Sequence, residues 1–132
     1  MNIKRFGVSL EDELLKALDE YSSQNKLPNR SQAIRHLIRK NLVTQHWEGN
    51  QEVAGAIVLV YDHHKRDLQY NSTAIQHDFH DLILSVQHVH LDHHHCLETI
   101  AVKGKAERLT ELANQLIGLK GIFHGELVMS GI

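Results

Sequence analysis

Between Gln76 and Cys96 the chain gathers most of its side chains that can bind a transition metal. This stretch, QHDFHDLILSVQHVHLDHHHC, holds His77, His80, His88, His90, His93, His94, His95 and the only cysteine, Cys96. Imidazole nitrogen and thiolate sulfur are borderline-to-soft ligands that suit late first-row metals. His88 and His90 stand two apart on the apolar run Leu82–Leu91, which reads as a strand. Side chains alternate across a strand, so these two imidazoles share a face. The polar stretch Asp92–His95 is a turn, and Cys96 opens a second strand-like run to Val102. One hairpin thus offers two nitrogens and a sulfur to a single ion. Whether Cys96 joins the face of the imidazoles depends on parity across the turn, which the spacing leaves open. Three ligands leave a four-coordinate ion one short. His77, at the end of the preceding helical stretch, is the best candidate for the fourth, from the same chain or from another subunit. His63, His64, His80, His93, His94, His95 and His124 read as solvated side chains or as weaker sites. An enzymatic reading, with an open coordination position and Glu98 as base, lacks any accompanying pocket-building motif, so no enzyme is expected.

The elements that position these residues follow from periodicity. Val53–Tyr61 is nearly continuous apolar sequence, a buried strand. Leu68, Ser72, Ile75 and Phe79 then recur at helical spacing, in a helix expected from Lys65 to Phe79. The two hairpin strands come next. Ala106–Ile117 is helical, with Leu109, Leu112, Ala113 and Leu116 on one stripe and Gly118 and Gly121 at its end, and Ile122–Met129 is a last strand. The order is βαββαβ, the split ferredoxin-like unit: an antiparallel sheet with two helices on one face. Its free face invites a second copy.

A different segment precedes it. Arg5–Leu10 alternates, with Phe6, Val8 and Leu10 facing inward and Arg5, Gly7 and Ser9 outward. No hairpin partner lies nearby, so this strand must pair with its counterpart in a second chain. Ser9 is placed to cap a helix carrying the stripe Leu14, Leu18 and Tyr21. Asn25–Pro28 breaks it. Asn29 then caps a second helix whose buried stripe is Ile34, Leu37, Ile38 and Leu42. Strand, helix, helix with an unpaired basic strand is the ribbon-helix-helix pattern. Two such chains make one antiparallel ribbon for the major groove of DNA. Arg5, Gly7 and Ser9 then face base edges, and Asn29, Arg30 and Ser31 at the second helix N-terminus hold a phosphate. The α+β fold is therefore expected as a DNA-binding domain over 1–45, a linker over 46–52 and a metal-binding, tetramerising domain over 53–132.

Composition agrees with this division. Of 132 residues 42% are hydrophobic, enough for a core, and the net charge of -2 suits neither a basic tail protein nor a disordered acidic one. Bases concentrate in the first part of the chain, where any DNA contact belongs. No apolar run approaches the roughly 20 residues needed to span a bilayer, so no membrane association is expected. A lone cysteine fits a reducing cytoplasm.

These motifs together resemble the nickel-responsive repressors (NikR), in which a ribbon-helix-helix segment is joined to an ACT-type regulatory domain. The segments FGVSLEDELL, NRSQAIR, YDHHKRDL and QHVHLDHHHCLE carry the resemblance over almost the whole chain. It implies one square-planar Ni(II) per subunit, held by His88, His90 and Cys96 of one chain and His77 of another. It further implies outer positions for Tyr61 and Glu98, an alternative binding mode for His63, and phosphate contacts from Lys65 and Arg66. A homotetramer, built as a dimer of dimers on a palindromic double-stranded operator and repressing nickel uptake genes, is the function implied. Gly7 replaces a hydroxyl residue found in relatives, and Gln32 and His36 replace carboxylates that hold a second cation in some. The rival reading is a metal storage or delivery protein that uses the same ligands without DNA.

Overall fold

The computed structural model describes residues 2–132. The chain divides into two compact units, Met1–Asn41 and Leu42–Ile132.

In the first unit, α1 (Asp12–Gln24) and the first part of α2 (Arg30–Glu48), which runs on into the second, follow an extended segment that pairs with no strand among the described residues. Glu11, not Ser9, is the residue that caps α1, and it does so without a side-chain bond. Asn29 caps α2 as its type and position require, its Oδ1 accepting the Gln32 amide at 2.9 Å. The inward-facing positions expected to be buried are largely open. Phe6 is 75% exposed, Val8 60%, Leu14 52% and Ile38 54%, and Leu37 and Leu42 are also exposed. Phe6, Val8, Leu10, Leu14, Leu18 and Ile34 line a single apolar groove. A short segment and two helices are too little chain to enclose a core, so a stripe that is correctly patterned stays open in one copy.

In the second unit, β1 (Glu52–Tyr61), α3 (Arg66–Asp78), β2 (Ile83–His90), β3 (Cys96–Lys105), α4 (Ala106–Ile117) and β4 (Ile122–Ser130) give the βαββαβ order. A 3-10 turn, His80–Leu82, leads into β2. The sheet is antiparallel in the order β2-β3-β1-β4. Ile57 and Leu59 of β1, Ile100 and Val102 of β3, and the α4 stripe Leu109, Leu112, Ala113 and Leu116 form the dry core. Leu68 of α3 and Phe79, just past its end, seal it. Gly121 stands at φ 103°, where only glycine is unstrained, and a Cβ there would press on Leu68 at 3.3 Å. The opposite sheet face carries Val58, Val60, Leu97 and Ala101, all half-buried, with Val128 half exposed.

The stretch read as a linker is different in the structure. The helix α2 continues to Glu48, and only the turn at Gly49–Gln51 separates it from β1. Val43 and Trp47 are one helical turn apart, and both pack on the core of the second unit. Trp47 Nε1 donates to the Ser130 carbonyl at 2.9 Å. Burial of this pair holds the helix beyond the point where its polar sequence loses periodicity.

Candidate metal centre

Strand register settles the parity question. His90 pairs with Cys96 and His88 with Glu98 across β2 and β3, while Tyr61 on β1 pairs with Cys96 from the other side. Directly paired residues point to the same face. His88, His90, Cys96, Glu98 and Tyr61 therefore share one face of the sheet. Cys96 is buried and the imidazoles lie at the open end.

His88 Nδ1 lies 3.9 Å from Cys96 Sγ. Metal–sulfur and metal–nitrogen bonds of about 2.3 and 2.0 Å place such a pair roughly 3.1 Å apart when adjacent and roughly 4.3 Å when opposite. One ion therefore fits between them with little adjustment. His90 does not converge equally in the single chain. His88, His90 and Cys96 are not within 4.8 Å of one another among the described residues. The His90 ring instead meets His63 edge-on, with centroids 4.6 Å apart. His63 Nδ1 is buried and lacks a hydrogen-bond partner, a donor or acceptor left idle beside His90. Burial, then the neighbouring His64 and His90, hold the His63 pKa below its ordinary value, and so favour the neutral, ligating form.

Behind the pair stands a buried carboxylate. Glu98 is 2% exposed. Tyr61 donates to its Oε1 at 2.5 Å, and Gln76 of α3 donates to its Oε2 at 2.8 Å. Tyr61 Oη is also 3.3 Å from His88 Nδ1. Burial, and then the hydrogen bond and charge of Glu98, push the Tyr61 pKa well above its ordinary value, so the phenol stays protonated and donates. Gln76 is a residue of this network to which the sequence reading gave no role. Its signal is the spacing from Ser72, one helical turn earlier, whose Oγ takes a second bond from Gln76 at 3.1 Å.

His77 follows Gln76 on α3. Since Gln76 turns inward to Glu98, the next residue projects about 100° around the helix. His77 is exposed accordingly, its ring 5.9 Å from that of His80. No hydrogen bond or ring contact joins it to the Cys96 group among the described residues.

The residues expected at DNA are placed as follows. Arg5, Gly7 and Ser9 are exposed, and a Cβ at Gly7 would meet nothing within 4 Å. The glycine is thus not required by the packing of its own chain. Asn29 is engaged as a cap, Ser31 is exposed, and Arg30 makes a two-pronged pair with Asp19 at 2.9 and 3.1 Å. A phosphate at Arg30 has to compete with that carboxylate. Lys65 and Arg66 line a depression at the start of α3 together with Lys120, a third cation that the sequence reading did not include.

Comparison with known proteins bears on this arrangement. Residues 54–130 match the family model described as NikR C terminal nickel binding domain, and residues 4–45 match the ribbon-helix-helix protein, copG family. The chain belongs to the family of nickel-responsive regulators. A relative from Syntrophus aciditrophicus, named "Putative nickel-responsive regulator", is 52% identical over 131 residues, covering 99% of this chain and 96% of its own. One of the same name from Thermococcus onnurineus is 50% identical over 131 residues, 98% of this chain and 95% of its own. This is a family of regulators, not of enzymes. Among solved structures, the ACT domain of a GTP pyrophosphokinase from Chlorobium tepidum aligns with a TM-score of 0.50 at 19% identity, over 59% of this chain and all of its own. An uncharacterised protein of Thermotoga maritima aligns at 0.55 and 12% identity, over 60% of this chain and 98% of its own. Both show the fold of the second unit, the ACT-like βαββαβ arrangement. Among the described residues no helix is long and apolar enough to cross a membrane.

Proposed function

We propose that this chain is a nickel-dependent, DNA-binding repressor of nickel uptake genes, acting in the cytoplasm as a homotetramer. The observation that carries the reading is the shared face of His88, His90 and buried Cys96. Two imidazoles and a thiolate fit one Ni(II) per subunit by ligand chemistry. His77, which is exposed, supplies the fourth ligand to a neighbouring chain. When bound, nickel supplies a bond between subunits.

The chain's own residues turn that bond into a signal. His77 ends α3, and Gln76 beside it anchors α3 to Glu98 behind the metal face. Fixing both orders α3 along its length, including Lys65 and Arg66 at its start. Lys65, Arg66 and Lys120 then present a defined set of cations to operator phosphates. His63 offers a replacement nitrogen for metals that prefer another geometry. A ligand shifts a conformational equilibrium only by its differential affinity for the two states, and a site completed by two chains has that difference built in. Coupling of about 1–3 kcal/mol changes DNA affinity roughly 5- to 150-fold.

Residues 1–45 form the reading domain. The open groove lined by Phe6, Val8 and Leu10 closes against the same groove of a second chain, and Arg5, Gly7 and Ser9 then point from the paired ribbon to base edges. Asn29 and Ser31 offer amides and side chains to a phosphate, with Arg30 released from Asp19. The half-buried sheet face of residues 53–132 joins two such dimers and spaces them for a palindromic operator.

The test is the visible spectrum on adding nickel to the wild type, Cys96→Ala and His77→Ala. A thiolate-to-nickel band absent from Cys96→Ala is expected, and mixing the two variants should restore some sites. A band that persists without the cysteine overturns the site. Nickel binding without nickel-dependent protection of an operator in footprinting overturns the regulatory reading in favour of metal delivery.

A further inference from the structure

We infer that Asp19 is a brake on DNA binding: by pairing with Arg30 it cancels the cation at the start of α2 and weakens its hold on backbone phosphates. The Arg30 guanidinium meets the Asp19 carboxylate side-on, Nε donating to Oδ1 at 2.9 Å and Nη2 to Oδ2 at 3.1 Å. The inference rests on the reading of residues 1–45 as a DNA-binding domain, and adds to it a residue that acts against binding.

Arg30 is poorly placed for the stability of its own helix. It is the first residue of α2, and the first turn of that helix holds no acid. The open amides of a helix N-terminus carry partial positive charge, so a cation there is unfavourable and an anion is favoured. Arg30 therefore calls for an anion, and two are offered in turn: Asp19 in the free chain and a phosphate in the complex. The two side chains of the pair are 59% and 49% exposed. An exposed pair of this kind contributes little to folding, so stability is a weak reason for it. The hydrogen bond from Arg30 holds the Asp19 carboxyl below its ordinary range, so the pair stays charged at neutral pH.

The charge around it is otherwise unopposed. Ser31, next in sequence to Arg30, lines a depression with Lys4, Arg5 and Arg35, which have no ion-pair partner among the described residues. Those three cations attract phosphate at full strength, and Arg30 does not. Two of the five N–H donors of Arg30 are taken by Asp19, which leaves its outer edge open. A phosphate at that edge still meets the Asp19 carboxylate, closer than the roughly 8 Å over which physiological salt screens charge. The chain thus neutralises less phosphate than its count of cations allows. Phosphate contacts carry no sequence information, so the brake acts on DNA of any sequence. It suppresses indiscriminate binding and leaves the base contacts of the ribbon to decide. This inference stands whether or not Cys96 binds nickel.

The experiment is fluorescence anisotropy of the full chain, with nickel, on a labelled duplex of mixed sequence across a salt series. The proteins compared are the wild type, Asp19→Asn, Arg30→Ala, these two combined, and Glu20→Gln. Glu20 is the exposed acid beside Asp19 on α1 and controls for net charge. An exposed ion pair shifts an equilibrium by roughly 1.5- to 5-fold, so two copies in a DNA-bound dimer give Asp19→Asn a gain of roughly 2- to 25-fold. Its plot of log affinity against log salt should steepen by about 0.9 for each Arg30 set free. Glu20→Gln should gain less and keep the wild-type slope. With Arg30→Ala already in place, Asp19→Asn should gain no more than Glu20→Gln does. Unchanged affinity in Asp19→Asn overturns the inference. So does a loss, which would make Asp19 a support that aims Arg30 at phosphate. A gain that persists in full without Arg30 overturns it as well. A wild type that binds no duplex overturns the DNA-binding reading itself, a result distinct from all of these.

Discussion

Replacing Tyr61 by Phe removes one hydroxyl from a buried network and leaves the ring in place. That hydroxyl donates to Glu98 Oε1 at 2.5 Å, and Glu98 is 2% exposed. A hydrogen bond to a charged group contributes about 1.5–3 kcal/mol net. The metal-free variant should lose that much stability at about pH 8, roughly a tenfold to hundredfold shift in the folding equilibrium. The pH dependence has a definite sign. Burial and Glu98 raise the Tyr61 pKa in the folded state above its ordinary 10.0. Below that ordinary value the phenol is neutral in both states, and its full contribution is present. Above it the unfolded tyrosine ionises while the folded one does not, so the contribution is lost as pH rises. Phenylalanine has nothing to ionise. Urea titrations at about pH 8 and about pH 11 should therefore show the gap between wild type and Tyr61→Phe narrowing at the higher pH. Equal stability at the lower pH, or a gap that widens on raising it, would refute the reasoning about this network.

Ile100→Ala should cost about 2–5 kcal/mol in the same titration, because Ile100 is fully buried between Ile57 and Val86 in the ladder. Asn29→Ala should cost about 1 kcal/mol by removing the cap on the Gln32 amide, whereas Asn29→Gly should cost only a few tenths, a contrast that thermal melts resolve. Trp47→Phe removes the donor to the Ser130 carbonyl and should destabilise the chain by about 0.5–1.5 kcal/mol, read by urea unfolding followed by circular dichroism. Gly7→Ala should leave folding unchanged, since a Cβ there meets nothing within 4 Å, and should alter operator affinity in a binding assay.

The two-residue spacing of His88 and His90 fixes their common face for any strand, because alternation is a property of the extended backbone itself. The stripe on α4 and the βαββαβ order are equally local, carried by helical and strand periods within each segment. The sequence alone also located Cys96 beside a turn, and the family resemblance led to the expectation that His77 joins it from another chain. Parity across the turn was beyond its reach, since one extra residue in Asp92–His95 would have sent Cys96 to the other face. Only the pairing of His90 with Cys96 decided that. The role of Gln76 was hidden for a similar reason. An uncharged residue on a polar helix gains its meaning from Glu98, 22 positions away, which tertiary packing brings to 2.8 Å. The continuation of α2 to Glu48 was likewise a matter of long-range burial, with Trp47 bonded across 83 positions to Ser130. Composition and period thus dictated which side chains face together within an element. Which elements meet, and which groups complete one another's hydrogen bonds, was settled by the packing of distant segments against a single core.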